Sequence, residues 1–286
     1  MLPIVPRGPR PVLETFVTLV RDCIAWRRQL LALALIELRK QTSNSLLGIG
    51  WLILKPVIYI LCFWFALFIG LKSRDMESGQ FLVWLAAGVI PWMFLSSAIQ
   101  HGSGLFNSYK HLVSKLEFPP ELISVFYELA SLIVHFMLLA VFTVVYIIVG
   151  GRITVQFLQL PILFVLMFVF AVGFSLMTSP LTAMSRDVQY LIKSLSTPIF
   201  WLSGVIFSVS DVSSSAVQLA LKFDPVTFLI ESYRIIYCNG SIVGDSAGWI
   251  WDDPVFFGCG VGVILLTFIA GLFVYSKLKN TVSDAL

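Results

Sequence analysis

The chain has 286 residues, 58% of them apolar (AVILMFWYC) and only 12% charged, with a mean hydropathy of +0.92. A soluble domain carries about 45–50% apolar and about 25% charged residues, so much of this chain must face lipid. The formal charge of +3 gathers no Lys/Arg stripe on one helix, which excludes nucleic-acid binding.

Pro3, Pro6, Pro9 and Pro11 open the chain as an extended lead-in. From Glu14 onward, Phe16, Leu19, Val20, Cys23 and Ile24 alternate with Arg21, Arg27 and Arg28, which predicts a basic amphipathic helix at the cytoplasmic headgroups. The apolar run Leu30 to Ile36 is too short to span and leads into Glu37, Arg39 and Lys40, so it is neither a signal peptide nor a crossing. Residues 1–50 therefore form a cytoplasmic segment with an interface helix, and residues 51–286 the membrane domain. A spanning helix needs about 20 mostly apolar residues, and six runs qualify: Trp51 to Leu71, Phe81 to Gln100, Leu122 to Val149, Phe157 to Met177, Tyr190 to Val209 and Val255 to Ser276. The expected fold is all-α and polytopic, with six transmembrane helices.

Lys and Arg are retained on the cytoplasmic side. Fourteen of the 19 fall in the N-terminal stretch through Lys55, residues 101–121, residues 181–193 and the C-terminal tail, which places both termini inside. Residues 210–254 hold one more apolar stretch, Val217 to Tyr237, but Lys222, Asp224, Pro225, Glu231 and Arg234 divide it. A seventh span would also invert Lys277 and Lys279, so two short re-entrant helices around Asp224-Pro225 are expected.

Soluble-enzyme chemistry is unsupported. No Gly-Lys pair occurs, so there is no Walker A loop, and neither H-E-x-x-H nor G-x-S-x-G is present. His101, His111 and His135 are scattered, and Cys23, Cys62, Cys238 and Cys259 lack metal-site spacing, so no metal site is expected. Cys238 and Cys259 are read as small hydrophobes rather than as a disulfide.

Polar residues at membrane depth each carry two readings. Lys55, beside Pro56, is a snorkelling anchor or a functional cation. Glu128, Ser131 and His135 recur at i, i+3 and i+7 and share one face of the third span, as an interhelical hydrogen-bond seam or as a proton or substrate path. Arg186 with Asp187, and Glu231 with Arg234, are local ion pairs by default. Tyr59, Phe63 and Phe68 in the first span and Phe200, Trp201 and Phe207 in the fifth are lipid-facing packing or the stacking walls of a sugar path. Trp84 and Trp92 are open to an interfacial-belt reading, and Gly258 and Gly262 make a weak small-x-x-x-small contact motif.

Several strings, in order, carry a resemblance: SLLGIGWLILKPVI (Ser45 to Ile58), AAGVIPWMFLSSAI (Ala86 to Ile99), NSYKHLVSKLEFPPELI (Asn107 to Ile123), Arg186-Asp187-Val188-Gln189-Tyr190, Ser196-Thr197-Pro198-Ile199-Phe200 and DPVTFLIESYR (Asp224 to Arg234). Over roughly residues 31 to 286 the chain resembles the permease subunit of type-2 ATP-binding-cassette exporters for polysaccharides and polyol phosphates, the family that exports O-antigen, capsule and teichoic acid polymers. It departs from the family pattern at Asp224, where Asn is frequent, and at Ser114, where a second basic residue is frequent.

The resemblance implies a multi-pass protein of the bacterial cytoplasmic membrane, working as a homodimer with two separate ATPase subunits. ATP and Mg would be bound there, leaving no cofactor in this chain. The segment 107–120, with Asn107, Tyr109, Lys110, Leu112, Val113, Lys115, Phe118 and Pro119, would be the coupling helix that meets the ATPase. Arg186, Asp187, Pro225, Glu231 and Arg234 would be polar gate positions, with Glu128 and His135 as further candidates. The first and fifth spans would line a channel for a lipid-linked glycan. The rival readings are a permease for a smaller substrate, and an intramembrane enzyme or proton-coupled transporter using Glu128 and His135 as acid and base.

Overall fold

The computed structural model describes residues 11–43, 45–72, 77–112, 118–238 and 248–285, with side chains through Lys279. Among the described residues the chain is helical and no strand occurs. The helices are α1 (Val12–Ala25), α2 (Arg27–Thr42), α3 (Gly50–Trp64, continued by a π-helical turn Phe65–Gly70), α4 (Ser78–Gln100), α5 (Leu105–Ser108), α6 (Glu121–Ile148), α7 (Leu160–Met184), α8 (Arg186–Leu202), α9 (Ser215–Lys222), α10 (Pro225–Cys238) and α11 (Pro254–Ala285).

Among the described residues five segments are long and apolar enough to cross a membrane: Gly50–Gly70, Ser78–Ser108, Glu121–Ile148, Val155–Met184 and Pro254–Lys279. They match five of the six expected spans. The remaining prediction, Tyr190 to Val209, is corrected at both ends, because the helix starts at Arg186 and stops at Leu202. Its 17 residues reach roughly 25 Å at 1.5 Å per residue, short of a hydrocarbon core of about 30 Å. The stop has a local cause in Gly204, whose φ of +68° is left-handed backbone that glycine adopts without a Cβ penalty.

α4 is apolar all round, as a helix buried on every side must be. It packs against α3, α6, α7, α8 and α10. α3 is as apolar but buries only Pro56 and Ile60, so most of its surface is open in the single chain. α7 and α11 form the most extensive helix pair, made close by Gly173 and Gly271: a Cβ on Gly271 would run into the Gly173 backbone, and one on Gly173 would stand 2.5 Å from the Phe268 Cα. The expected contact motif Gly258/Gly262 plays no such part, since both positions open onto empty space.

The chain forms two short helices around Asp224-Pro225, α9 and α10. Asp224 caps α10, accepting from the Val226 and Thr227 amides at 3.2 and 3.0 Å and from the Thr227 hydroxyl, while Pro225 fills the first helical position, where no amide is needed. Asn caps equally well, which accounts physically for the exchange at this position. Asp253-Pro254 repeats the device: Asp253 accepts from the Val255 and Phe256 amides, each at 3.0 Å, and from Lys222 at 2.6 Å, tying the end of α9 to the start of α11.

The predicted amphipathic N-terminal helix is two helices that break at Trp26. α1 lies on α11 and α6, and α2 on α6. Leu13, Phe16, Val17, Val20 and Ile24 of α1 and Leu31, Leu35 and Ile36 of α2 remain exposed, an apolar surface suited to lipid. Glu121, at the start of α6, accepts from Lys279 at 3.1 Å and from the Tyr275 hydroxyl, so the end of α11 is held beside the N-terminal helices. None of the four cysteines forms a disulfide. Cys23 is pushed up to about 11, by burial first and then by the charges of Asp22 and Glu121, and is therefore a poor nucleophile.

Candidate functional site: a groove between α3 and α8

α3 and α8 flank α4, and the space between them is a groove. Its wider part, about 630 Å³, is lined by α2, α3, α4, α6 and α8. The narrower part, about 380 Å³, is lined by Tyr59, Phe63, Trp92, Ser96, Gln100, Ser196, Thr197, Phe200 and Trp201 among others. Met93 and Gln100 border both parts, so the two are contiguous. Helical spacing builds the walls: Trp51, Lys55, Tyr59 and Phe63 fall four residues apart on α3, and Gln189, Lys193, Ser196 and Phe200 at steps of four and three on α8. Pro56, Pro91 and Pro198 interrupt the amide ladders of all three groove helices.

Four of the six expected path aromatics meet here. Tyr59 and Phe63 have ring centroids 4.8 Å apart, Phe63 and Phe200 5.4 Å, Trp92 and Phe200 5.5 Å, and Phe200 and Trp201 5.6 Å. The Phe63–Phe200 contact bridges the walls, while Tyr59 and Trp201 stay 37% and 53% exposed beside it. The other two aromatics lie elsewhere. Phe68 packs on Trp64 and Phe81, and Phe207 belongs to the turn after α8. Trp92 joins the groove, and Trp84 is a buried core residue rather than part of an interfacial belt.

Glu128 and His135 are buried and bonded to different helices. Ser175 on α7 donates to Glu128 at 2.8 Å, and His135 Nε2 lies 2.7 Å from the Tyr233 hydroxyl on α10, which also approaches Met167 Sδ at 3.3 Å. Ser131, between them in sequence, lines the groove. This is the geometry of an interhelical hydrogen-bond seam.

Glu231 and Arg234 are paired at 3.0 Å with both side chains fully buried. Arg234 also donates to the carbonyls of Gly204 at 2.7 Å, Val205 at 2.6 Å and Phe207 at 3.0 Å, and its guanidinium sits 3.8 Å from the Trp84 ring centroid. The pair read as local is a clasp that satisfies the backbone left open where α8 stops. A Cβ on Gly88 would come within 2.6 Å of Arg234 Nη2, so glycine is what lets the clasp close. Arg186 and Asp187 are corrected in the opposite sense. Both are exposed at the start of α8 with no ion pair between them, and Asp187 stands in the first turn, where a carboxylate suits the helix dipole.

The expected coupling segment divides into inward and outward residues. Tyr109, Leu112 and Phe118 are buried. The Tyr109 hydroxyl donates to Glu37, and burial, followed by that carboxylate, pushes its acidity well below that of an ordinary phenol. Phe118 packs on Trp26 at 5.3 Å. Asn107 donates to the Thr182 carbonyl at 3.0 Å, Pro119 is half-buried, and Lys110 and His111 are exposed. Val113 and Lys115 lie outside the described residues. Apolar spacing would have identified the three inward anchors, since a docking segment also has to be held to its own chain.

Comparison with known proteins agrees with this architecture. The model of the ABC-2 type transporter family matches residues 28–238. The chain belongs to the ABC-2 type transporter family. It is a membrane transport subunit, not an enzyme, and membership implies an ATP-binding-cassette ATPase partner. Among curated proteins, the chain is 23% identical over 261 residues to the O-antigen export system permease protein RfbA of Myxococcus xanthus, covering 90% of this chain and 95% of that one. It is also similar to two permeases of the same name from Klebsiella pneumoniae, 20% and 21% identical over 254 residues, covering 87% of this chain and 92% of each. The family match spans α2 through α10, and so includes the groove and the clasp.

Proposed function

We propose that this chain is the membrane subunit of an ATP-driven exporter that moves a lipid-linked O-antigen polymer across the bacterial cytoplasmic membrane. The observation that carries the reading is the groove itself, in which lysine-bearing turns of α3 and α8 lead into an aromatic stretch on the same two helices. Aromatic faces hold sugar rings through many shallow contacts, which suits a long polymer that must not stall at any one position. The similarity to permeases named for O-antigen export supports the substrate class.

Two copies of the chain complete the path. α3 presents Leu54, Ile58, Leu61, Phe65 and Ile69 as exposed apolar residues, and α8 presents Leu191, Leu195 and Leu202. A second copy seated there would turn two half-grooves into one conduit, with the Phe63–Phe200 bridge as the constriction that ATP-driven movement opens. The distribution of Lys and Arg supports cytoplasmic termini. On that side the ATPase subunits, holding ATP and Mg, would meet the outward residues Asn107, Lys110 and His111.

The test is to purify the tagged full chain from its host and to follow surface O-antigen in a strain lacking it. A one-to-one ATPase partner, and polymer that reaches the surface only when the chain is restored, are the expected results. A folded chain without an ATPase, or unchanged surface polymer, would overturn the reading. Cys62, exposed on α3, reports the dimer: oxidation should cross-link two copies in membranes, and Cys62→Ser should abolish the product.

A further inference from the structure

A separate cavity of about 540 Å³ lies at the end of α4 remote from the coupling segment, between the start of α4, the end of α6, the connection that follows α6 and the end of α10. Arg152 is its only charged lining residue, and no Asp or Glu stands in its wall. The Arg152 side chain is exposed and, among the described residues, pairs with no carboxylate. It is also the only Lys or Arg between Lys115 and Arg186, and it lies on the side that the distribution of Lys and Arg assigns to the exterior.

The connection that carries Arg152 is held in place. Gly150 turns the chain at a φ of +98°, and Gly151 leaves room for the Tyr146 ring, which a Cβ there would strike. The Tyr146 hydroxyl then donates to the Arg152 carbonyl at 3.0 Å, and its ring meets Tyr237 edge-on at 5.3 Å. Thr154, two residues further on, lines the same cavity, and its Oγ1 is buried with no hydrogen-bond partner among the described residues. A buried hydroxyl without a partner beside a cavity is a group whose bond a ligand atom can supply.

Depth and surroundings narrow the class of ligand. α6 has 28 residues, about 42 Å at 1.5 Å per residue against a hydrocarbon core of about 30 Å, so its two ends reach the headgroup layers. Ile147, Ile148, Ile153 and Val155, which flank the lining residues in sequence, are exposed. We infer that this cavity binds the headgroup of an anionic phospholipid from the leaflet remote from the coupling segment. Arg152 takes the phosphate, Gln80 and Thr154 take headgroup hydroxyls, and the acyl chains lie along the exposed isoleucines. A free anion would gain nothing from that apolar rim. The site is independent of the exporter reading and would stand if that reading fell.

The probe is dioctanoyl phosphatidylglycerol, titrated against the full chain in a neutral detergent and read by native mass spectrometry as the first lipid bound. The parent should bind it about tenfold more tightly than dioctanoyl phosphatidylcholine, whose choline cancels the phosphate charge, and at least about tenfold more tightly than glycerol 1-phosphate, which lacks the chains. Arg152→Gln should weaken binding about tenfold and Thr154→Val about threefold, while Arg152→Lys should stay within about threefold of the parent. Lys72→Gln, which removes an exposed charge from the same side but outside the cavity, should leave binding unchanged. Arg152 is exposed, so the melting temperature of its variants should stay within about 2 °C of the parent.

Equal binding of the two phospholipids by the parent would overturn the inference, and that comparison needs no variant to fold. Glycerol 1-phosphate binding as tightly as the lipid would replace it with a free-anion site. Arg152→Gln binding like the parent, or Lys72→Gln weakening binding as much as Arg152→Gln, would reduce the effect to general surface charge and equally overturn it.

Discussion

The Arg234 clasp and the α3–α8 groove both set charged and aromatic side chains among apolar helices, yet they are built in opposite ways. In the clasp Arg234 meets one carboxylate, three carbonyls and the Trp84 ring, all from within the chain, and both charges are fully buried. In the groove the lysines and two of the aromatics remain exposed; Lys55 lies 5.8 Å from the Trp51 ring centroid, and among the described residues no carboxylate pairs with Lys55 or Lys193. A charge in a membrane segment is therefore not by itself a functional signal. Burial among partners within the chain marks a structural joint, and exposure beside a cavity marks a candidate site.

Arg234→Ala should have the largest effect. Removing one partner of a buried pair leaves a carboxylate and three carbonyls unmet, at a cost of about 3–5 kcal/mol. The variant should melt far below the parent or fail to accumulate in the membrane; a melting temperature within about 2 °C would refute the clasp. Gly88→Val should cost about 1–3 kcal/mol by forcing Arg234 and the Val205 carbonyl apart, measured in the same melt. Glu128→Leu should also cost about 1–3 kcal/mol by orphaning Ser175, whereas Glu128→Gln keeps an acceptor and should retain both stability and export. Loss of export in Glu128→Gln at unchanged stability would return this residue to the proton-path reading.

On the groove side, Tyr59→Ala and Trp201→Ala should change stability by less than about 0.5–1 kcal/mol, since both rings are partly exposed, yet slow polymer export severalfold. Equal export by the double variant would remove the aromatic track from the proposal. The smallest effect belongs to Asp253. Partial burial raises its pKa, but the Lys222 contact and the Phe256 and Val255 amides outweigh this and hold the carboxyl below its ordinary value. With the folded pKa depressed, its contribution is present above the ordinary carboxylate pKa of about 3.9 and is lost as the pH falls through the folded value. Asp253→Asn should therefore narrow the difference in melting temperature between pH 6 and pH 3, and an identical acid dependence would count against the cap.

Much of this was legible in the sequence where a local rule operates. Apolar runs of about 20 residues locate helices because lipid satisfies no backbone group, and Asp-Pro reads as a cap and first position wherever it opens a helix. The face shared by Glu128, Ser131 and His135 follows from helical spacing alone. Legibility stopped where two distant segments decide the outcome together. The end of α8 at Leu202 is set by Gly204 together with an arginine thirty residues later. Tyr109, Leu112 and Phe118 resemble docking residues until α2 and α6 are seen to bury them.

Composition and helical period were enough to establish the class of molecule, its all-α character and five helices long and apolar enough to cross a membrane, because both act within one helix. Only the tertiary structure decided which aromatics meet, which glycines carry helix crossings, and that Glu231 and Arg234 are sealed while Lys55 and Lys193 are not. Those outcomes depend on which neighbouring helix supplies a hydrogen bond or covers a side chain, and neither periodicity nor spacing records the neighbour.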